Sequence, residues 1–200
     1  MKTANKVLIK QARESLKGQW GTVIGVGVFY FLLIMAIQNI PKSGGILSMI
    51  ISGPMGLGLA MFYLSVSRNK NANFEQIFEG FKRFQTSLIT YLLMVLYILL
   101  WSLLLIVPGI IASISYSMTF FILADDASIG PREALDKSKK MMMGYKWKLF
   151  CLGFRFFGWA ILAVLTFGIG FIWLIPYMQV ADAKFYDDIK DRGESTPAVV

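Results

Sequence analysis

This chain has no histidine and a single cysteine, Cys151. One thiol cannot close a disulfide within the chain, and without histidine a zinc site of the usual Cys/His kind has too few ligands. The same gap removes the Ser-His and Cys-His nucleophile pairs and the H-E-x-x-H signature. Neither a Walker-type glycine loop nor a G-x-S-x-G elbow occurs, and Gly168-Ile169-Gly170 reads as a turn, since no helix-opening fingerprint follows it. The expectation is a non-enzymatic protein with no cofactor or metal. Cys151 itself reads as a small apolar residue. Charge is scarce too, at 16% of residues against about a quarter in ordinary globular chains.

What replaces charge is apolar surface. Hydrophobic residues make up 56% of the chain, and the mean hydropathy is +0.60. The formal net charge of +8 would suggest nucleic acid in a soluble protein. Its placement argues otherwise. Of the 20 Lys and Arg, all but Lys42 and Arg155 fall within residues 1–19, 68–85, 125–148 and 182–200, between apolar runs. Cations at the ends of such runs point to anionic phospholipid headgroups and to membrane topology, with no nucleic acid partner.

In chain order, residues 1–19 read as a basic amphipathic helix at a membrane surface, with Ile9, Ala12, Leu16 and Trp20 on one face. No small-residue cleavage site follows, so the segment is expected to stay on the mature protein. Six spans are expected at about 20–40, 46–67, 88–107, 110–124, 149–165 and 171–186, followed by a polar tail at 187–200. Gly21 and Gly25 form a small-xxx-small pattern suited to close helix contact. Pro54 and Pro176 interrupt returning spans, and Pro108-Gly109 marks a tight reversal. Within 68–85, Phe74, Ile77, Phe78, Phe81 and Phe84 share a helical face. Within the polar block 124–150, Pro131 with Glu133 begins a helix, and Leu135, Ser138, Met142 and Tyr145 share its face.

The fold class is therefore an all-α integral membrane protein: six transmembrane helices in three hairpins, with short amphipathic interfacial helices. The basic segments alternate with turns at 41–45, 108–109 and 167–170 that hold one cation among them, Lys42. The positive-inside bias puts both termini and both long loops in the cytoplasm. Gly80-Phe81-Lys82 resembles Gly144-Tyr145-Lys146, and Ala124-Asp125 resembles Ala181-Asp182, with Lys17-Gly18-Gln19-Trp20 a looser counterpart. Two accounts fit these likenesses: a threefold repeat, or the general similarity of helical hairpins with aromatic ends.

Candidate functional residues are few. Arg155 is the clear ionisable group inside an apolar run, and it either snorkels to the headgroups or lines an anion site. Asp125 and Asp126 could ligate a metal or headgroup, or simply end a span in water, and Asp182 lies near the end of the sixth span. Lys137, Lys140 and Lys146 would meet lipid headgroups, with Glu133 beside them. Pro176, followed by Tyr177, marks a broken helix of the kind that can line a pathway or serve helix packing.

From residue 101 onward the motif order LWSLLLIVPGI, YSM, LADD, EALDKSKKMMMGYKWKLF, GW, LTFGIG, PY and FY resembles domain of unknown function 975, a bacterial family of multi-pass membrane proteins. It is distantly similar to the membrane domain that accompanies some glycerophosphodiester phosphodiesterases. The resemblance implies a bacterial plasma membrane location and carries over no catalytic residue. Where it leads one to expect a small polar residue before Gly158-Trp159, this chain has Arg155. Two roles follow as expectations: a structural, regulatory or partner-anchoring membrane protein with a membrane or cytoplasmic protein partner, or a permease for a small solute or lipid.

Overall fold

Long uncharged runs must satisfy every backbone donor and acceptor internally, and in apolar surroundings continuous helix does so. The computed structural model describes residues 3–41 and 43–195, and among these the chain is helical throughout, with no strand. Lys42 and residues 196–200 lie outside the described residues. The helices are α1 (Asn5–Ser15), α2 (Trp20–Gln38), α3 (Gly44–Ser67), α4 (Gln76–Glu79), α5 (Phe84–Leu104), α6 (Ile106–Tyr116), α7 (Thr119–Asp125), α8 (Pro131–Met141), α9 (Lys146–Leu165) and α10 (Phe171–Ser195). A 3₁₀ turn over Gly80–Arg83 joins α4 to α5.

Five stretches are long and apolar enough to cross a membrane: Trp20–Gln38, Gly44–Ser67, Gln76–Leu104, Ile106–Asp125 and Lys146–Leu165. The stretch expected as a sixth span begins α10, which contains Pro176 and continues through the polar residues from 187 to Ser195, where a tail was expected. The fourth run breaks at Ser117-Met118 into α6 and α7. The reversal expected at Pro108-Gly109 falls three residues earlier, at Leu105, the one non-helical residue between α5 and α6. Pro108 and Gly109 instead form the first turn of α6, where a residue without an N–H removes a donor that would have had no partner.

Helices adjacent in sequence pair across short turns: α2 with α3, α5 with α6, α9 with α10. Each polar element then packs on the pair that precedes it. The α4 segment lies on α3, α8 lies on α5, α6 and α7, and α1 closes the circle on α10 and α9. The polar elements meet their pairs part-way along. Leu135 of α8 packs with Ala112 and Tyr116 of α6 and with the stretch Leu93–Ile98 of α5. Beyond these contacts the pairs are bare: Leu103 is 81% exposed, Ile106 78% and Phe167 100%. Apolar surface of that extent calls for an apolar environment. At the opposite end, Phe62, Leu123, Phe185 and Tyr186 are fully buried in a protein core, hereafter the base.

The buried faces of the polar helices match the sequence pattern in α8, where Leu135, Ser138 and Met142 turn inward. In α1 the buried face is Leu8, Ala12 and Leu16, with Ile9 at its edge. In the 74–84 segment Ile77 and Gly80 are buried, and the four phenylalanines Phe74, Phe78, Phe81 and Phe84 face outward. Gly18 and Gly144 both adopt positive φ two residues before a long helix, so those two are conformational counterparts. Gly80 has φ −60 and is not.

The small residues that allow close contact also differ from the pattern expected. A Cβ at Gly21 or Gly25 would meet nothing within 4 Å, so that motif packs against no neighbour. On α3, a Cβ at Gly58 would sit 1.8 Å from the Ile77 carbonyl oxygen, and one at Gly80 would sit 1.9 Å from the Pro54 carbonyl oxygen. Backbone meets backbone there, and neither side can give. Gly58→Ala is expected to cost about 3 kcal/mol or more, whereas Gly21→Ala should be neutral or stabilising by up to about 1 kcal/mol. Thermal unfolding of the two variants in detergent checks the contrast.

Candidate functional site

A helix C-terminus leaves carbonyls without partners and carries partial negative charge. Three such ends converge at the base. The Ser67 carbonyl, last of α3, accepts the Ser15 hydroxyl of α1 at 3.1 Å and the Lys184 ammonium of α10. The Leu123 carbonyl near the end of α7 accepts Arg83 Nη1 at 2.6 Å. The Ser115 carbonyl at the end of α6 accepts the Ser138 hydroxyl of α8 at 2.8 Å.

Asp125 ends α7, where a carboxylate opposes the helix dipole and needs cations. It has two. Arg68, which caps α3, forms a two-pronged bond to it through Nη1 at 2.6 Å and Nη2 at 3.1 Å. Lys190 Nζ reaches Oδ2 at 2.5 Å, and the Tyr186 hydroxyl donates to the same oxygen at 3.2 Å. The free edge of the Arg68 guanidinium holds Asp187 Oδ1 at 3.2 and 2.8 Å. The hydrogen bond to Asp125, and then those to Asp187, raise the arginine's pKa further above its ordinary value against a lowering from burial. This lock joins α3, α7 and α10. Alongside it Lys148 of α9 pairs with Asp188 of α10 at 2.6 Å, with Thr3 donating to the same carboxylate.

Of the residues singled out from sequence, Asp125 is thus a hub. Asp126, its neighbour, faces away and accepts the Ser128 backbone N–H at 3.0 Å and hydroxyl at 2.6 Å, which hold its pKa below the usual carboxylate range. Glu133, Lys137 and Lys140 are exposed on α8, apart from the lock. Lys146 lines a cavity with Lys139, Trp101 and Pro108. Asp182 is half-buried in α10 with no hydrogen bond or ion pair among the described residues. Pro176 is buried. Arg68, Lys148, Asp187, Asp188 and Lys190 escaped sequence reasoning because their partners are distant in the chain. One signal was available: Arg68 and Asp125 both sit where a long apolar run stops.

The second feature is a groove between α1, α9 and α10. Tyr177 anchors it, donating its hydroxyl to the Ile9 carbonyl at 3.0 Å and meeting Phe156 edge-on at 5.2 Å. Arg13 of α1 and Arg155 of α9 line the groove with Trp20, Trp159 and Trp173. Both arginines are exposed, and neither has a hydrogen bond or ion pair among the described residues. Arg155 therefore shares its surroundings with a residue of the basic amphipathic helix.

The lock predicts a measurable coupling. Asp125→Asn should lower stability by about 2–4 kcal/mol, because it removes the carboxylate charge that Arg68 and Lys190 share. Combining it with Arg68→Gln should cost less than the sum of the two single changes. Additive losses in thermal unfolding would show that the pair is not coupled.

Chemically, the lock pairs its acids with its cations, while the groove presents cations with no acid among the described residues that line it. No characterised protein and no solved structure matches the chain. A family model described as "Protein of unknown function (DUF975)" matches residues 1–114 and 103–193, two stretches that together take in nearly all of it. The chain belongs to that family.

Proposed function

We propose that this is a non-enzymatic protein of a bacterial plasma membrane, with a structural, regulatory or partner-anchoring role. The observation that carries the reading is the ionic lock at the base, which ties the ends of α3 and α7 to α10 in a fixed arrangement. A permease needs a hydrated path, and the elements suggested for one are used in packing. Pro54 and Pro176 are buried, and the Ser115 carbonyl is taken by Ser138. The basic segments support an orientation with both termini and the block 124–150 in the cytoplasm, each helix pair leaving that face and returning to it. The partners are the bilayer, its anionic headgroups and a protein bound at the cytoplasmic face.

The depth of the pairs need not be equal. The α2–α3 turn contains Asn39 and Ser43, which water must solvate, and helices of 19 and 24 residues are about 28 and 36 Å long, enough to cross. The α5–α6 pair favours a shallower course. Charged α8 docks on its middle, leaving from Ile98 to Leu104 only about 9 Å of helix beyond the contact. Lys139 and Lys146 share a cavity with Trp101 and Pro108 close to the turn. Six charges in eleven residues keep α8 out of hydrocarbon, so a turn that near to it ends inside the adjacent leaflet. The turn itself suits lipid: the Leu105 N–H bonds to Trp101 and its carbonyl accepts from Gly109. A full crossing by this pair is the other reading.

Single cysteines in a Cys151→Ser background separate these possibilities. An impermeant maleimide added outside sealed cells should label Ser43→Cys and spare both Ser128→Cys and Leu105→Cys. Labelling of Ser128→Cys from outside would reverse the orientation, and labelling of Leu105→Cys would establish a full crossing. Purified protein in liposomes is expected to show no solute flux above protein-free vesicles. Flux that disappears in Pro176→Ala or Arg155→Ala would favour the permease.

A further inference from the structure

We propose that the groove between α1, α9 and α10 binds one anionic phospholipid, its phosphate between Arg13 and Arg155 and an acyl chain along the tryptophans. The proposal rests on the membrane reading above and adds to it a defined site. Three features of the groove point to this ligand.

The first is charge. Two guanidinium groups from different helices line one groove, and among the described residues no carboxylate is bound to either. The nearest acid on α1, Glu14, is turned to Lys10 at 4.0 Å. Like charges repel, so this arrangement is stable where an anion lies between them. Guanidinium groups match a phosphate with paired N–H donors. Simple snorkelling explains one arginine reaching for water, but not two from different helices lining one groove.

The second is the lining. Trp20, Trp159 and Trp173 border the groove, and Leu162, Ala163 and Leu174 continue it as an apolar wall. Tryptophan is suited to this level of a bilayer, where the ring meets chains and the N–H meets headgroups.

The third is length. The groove reaches Thr166 and Gly170 at the α9–α10 turn. From Arg155 to Thr166 is about 16 Å of helix, close to the roughly 15 Å of hydrocarbon in one leaflet. A headgroup at the arginines thus leaves a chain running the length of the slot. A free phosphate would satisfy the cations and leave that slot unused.

The test uses the full chain in a neutral detergent and reads tryptophan quenching by lipids with brominated chains. Brominated phosphatidylglycerol should reach half-effect at a concentration about tenfold below brominated phosphatidylcholine, whose phosphate carries a choline cation that the two arginines repel. Arg13→Gln with Arg155→Gln should bring the two lipids within about twofold of each other. Lys137→Gln with Lys140→Gln removes the same charge from α8 and should leave the preference intact. Both pairs are exposed, and unchanged melting would confirm the fold.

The proposal fails if the wild type shows no preference, or if the lysine pair abolishes it as fully as the arginine pair, which would make the effect one of overall charge. Displacement of the anionic lipid by millimolar inorganic phosphate would also overturn it, in favour of a free-anion site. None of these outcomes touches the orientation, which the labelling of Ser128→Cys decides separately.

Discussion

An unpaired charge in hydrocarbon is costly, and this chain is arranged around that cost. Its cations and acids are gathered between the apolar runs, so a polar base and bare apolar tips follow. Within the base the charges cannot be placed at will, since they lie among buried residues such as Phe185 and Tyr186. Arg68, Asp125, Asp187 and Lys190 satisfy one another, and Lys148 with Asp188 does the same nearby. Arg13 and Arg155 stand outside this pairing, which makes them the informative exception.

The lock also explains why α3 and α7 end where they do. A cation suits the C-terminus of α3, and a carboxylate at the C-terminus of α7 becomes acceptable once Arg68 and Lys190 face it. Side-chain donors take up carbonyls that the helices leave open at Ser67, Ser115 and Leu123. Such a base holds its helices in one arrangement. That favours a scaffold over a device whose halves must rock against each other.

Much of the helical layout was legible in the sequence. Trp20 opens α2, Ser67 closes α3 and Pro131 starts α8, each at a change from polar to apolar composition or at a residue with fixed backbone preference. The inward face of α8 followed from its period. Tertiary pairings were not legible. Gly21 and Gly25 carry the same spacing as many packed glycines, yet it is Gly53, Gly58 and Gly80, among others, that are pressed against another backbone. Local pattern does not say which side of a helix meets a neighbour. Nor did it reveal that Asp125 is paired while Asp126 faces its own turn, because Arg68 and Lys190 lie 57 and 65 residues away. The reversal at Leu105 was hidden by Pro108-Gly109, a stronger turn signal that proved equally at home in the first turn of a helix.

The closing of α1 on α10 orders events during synthesis. Tyr177 bonds to Ile9 across 168 positions, and Thr3 to Asp188 across 185. During synthesis α1 therefore waits for α10. At ~5–20 residues per second that interval is roughly ten to thirty seconds. Throughout it α1 has its apolar face uncovered, and a membrane surface is the natural place for such a helix to rest. Its basic character suits both settings, a surface of anionic headgroups first and, once α9 and α10 are in place, the groove to which it supplies Arg13.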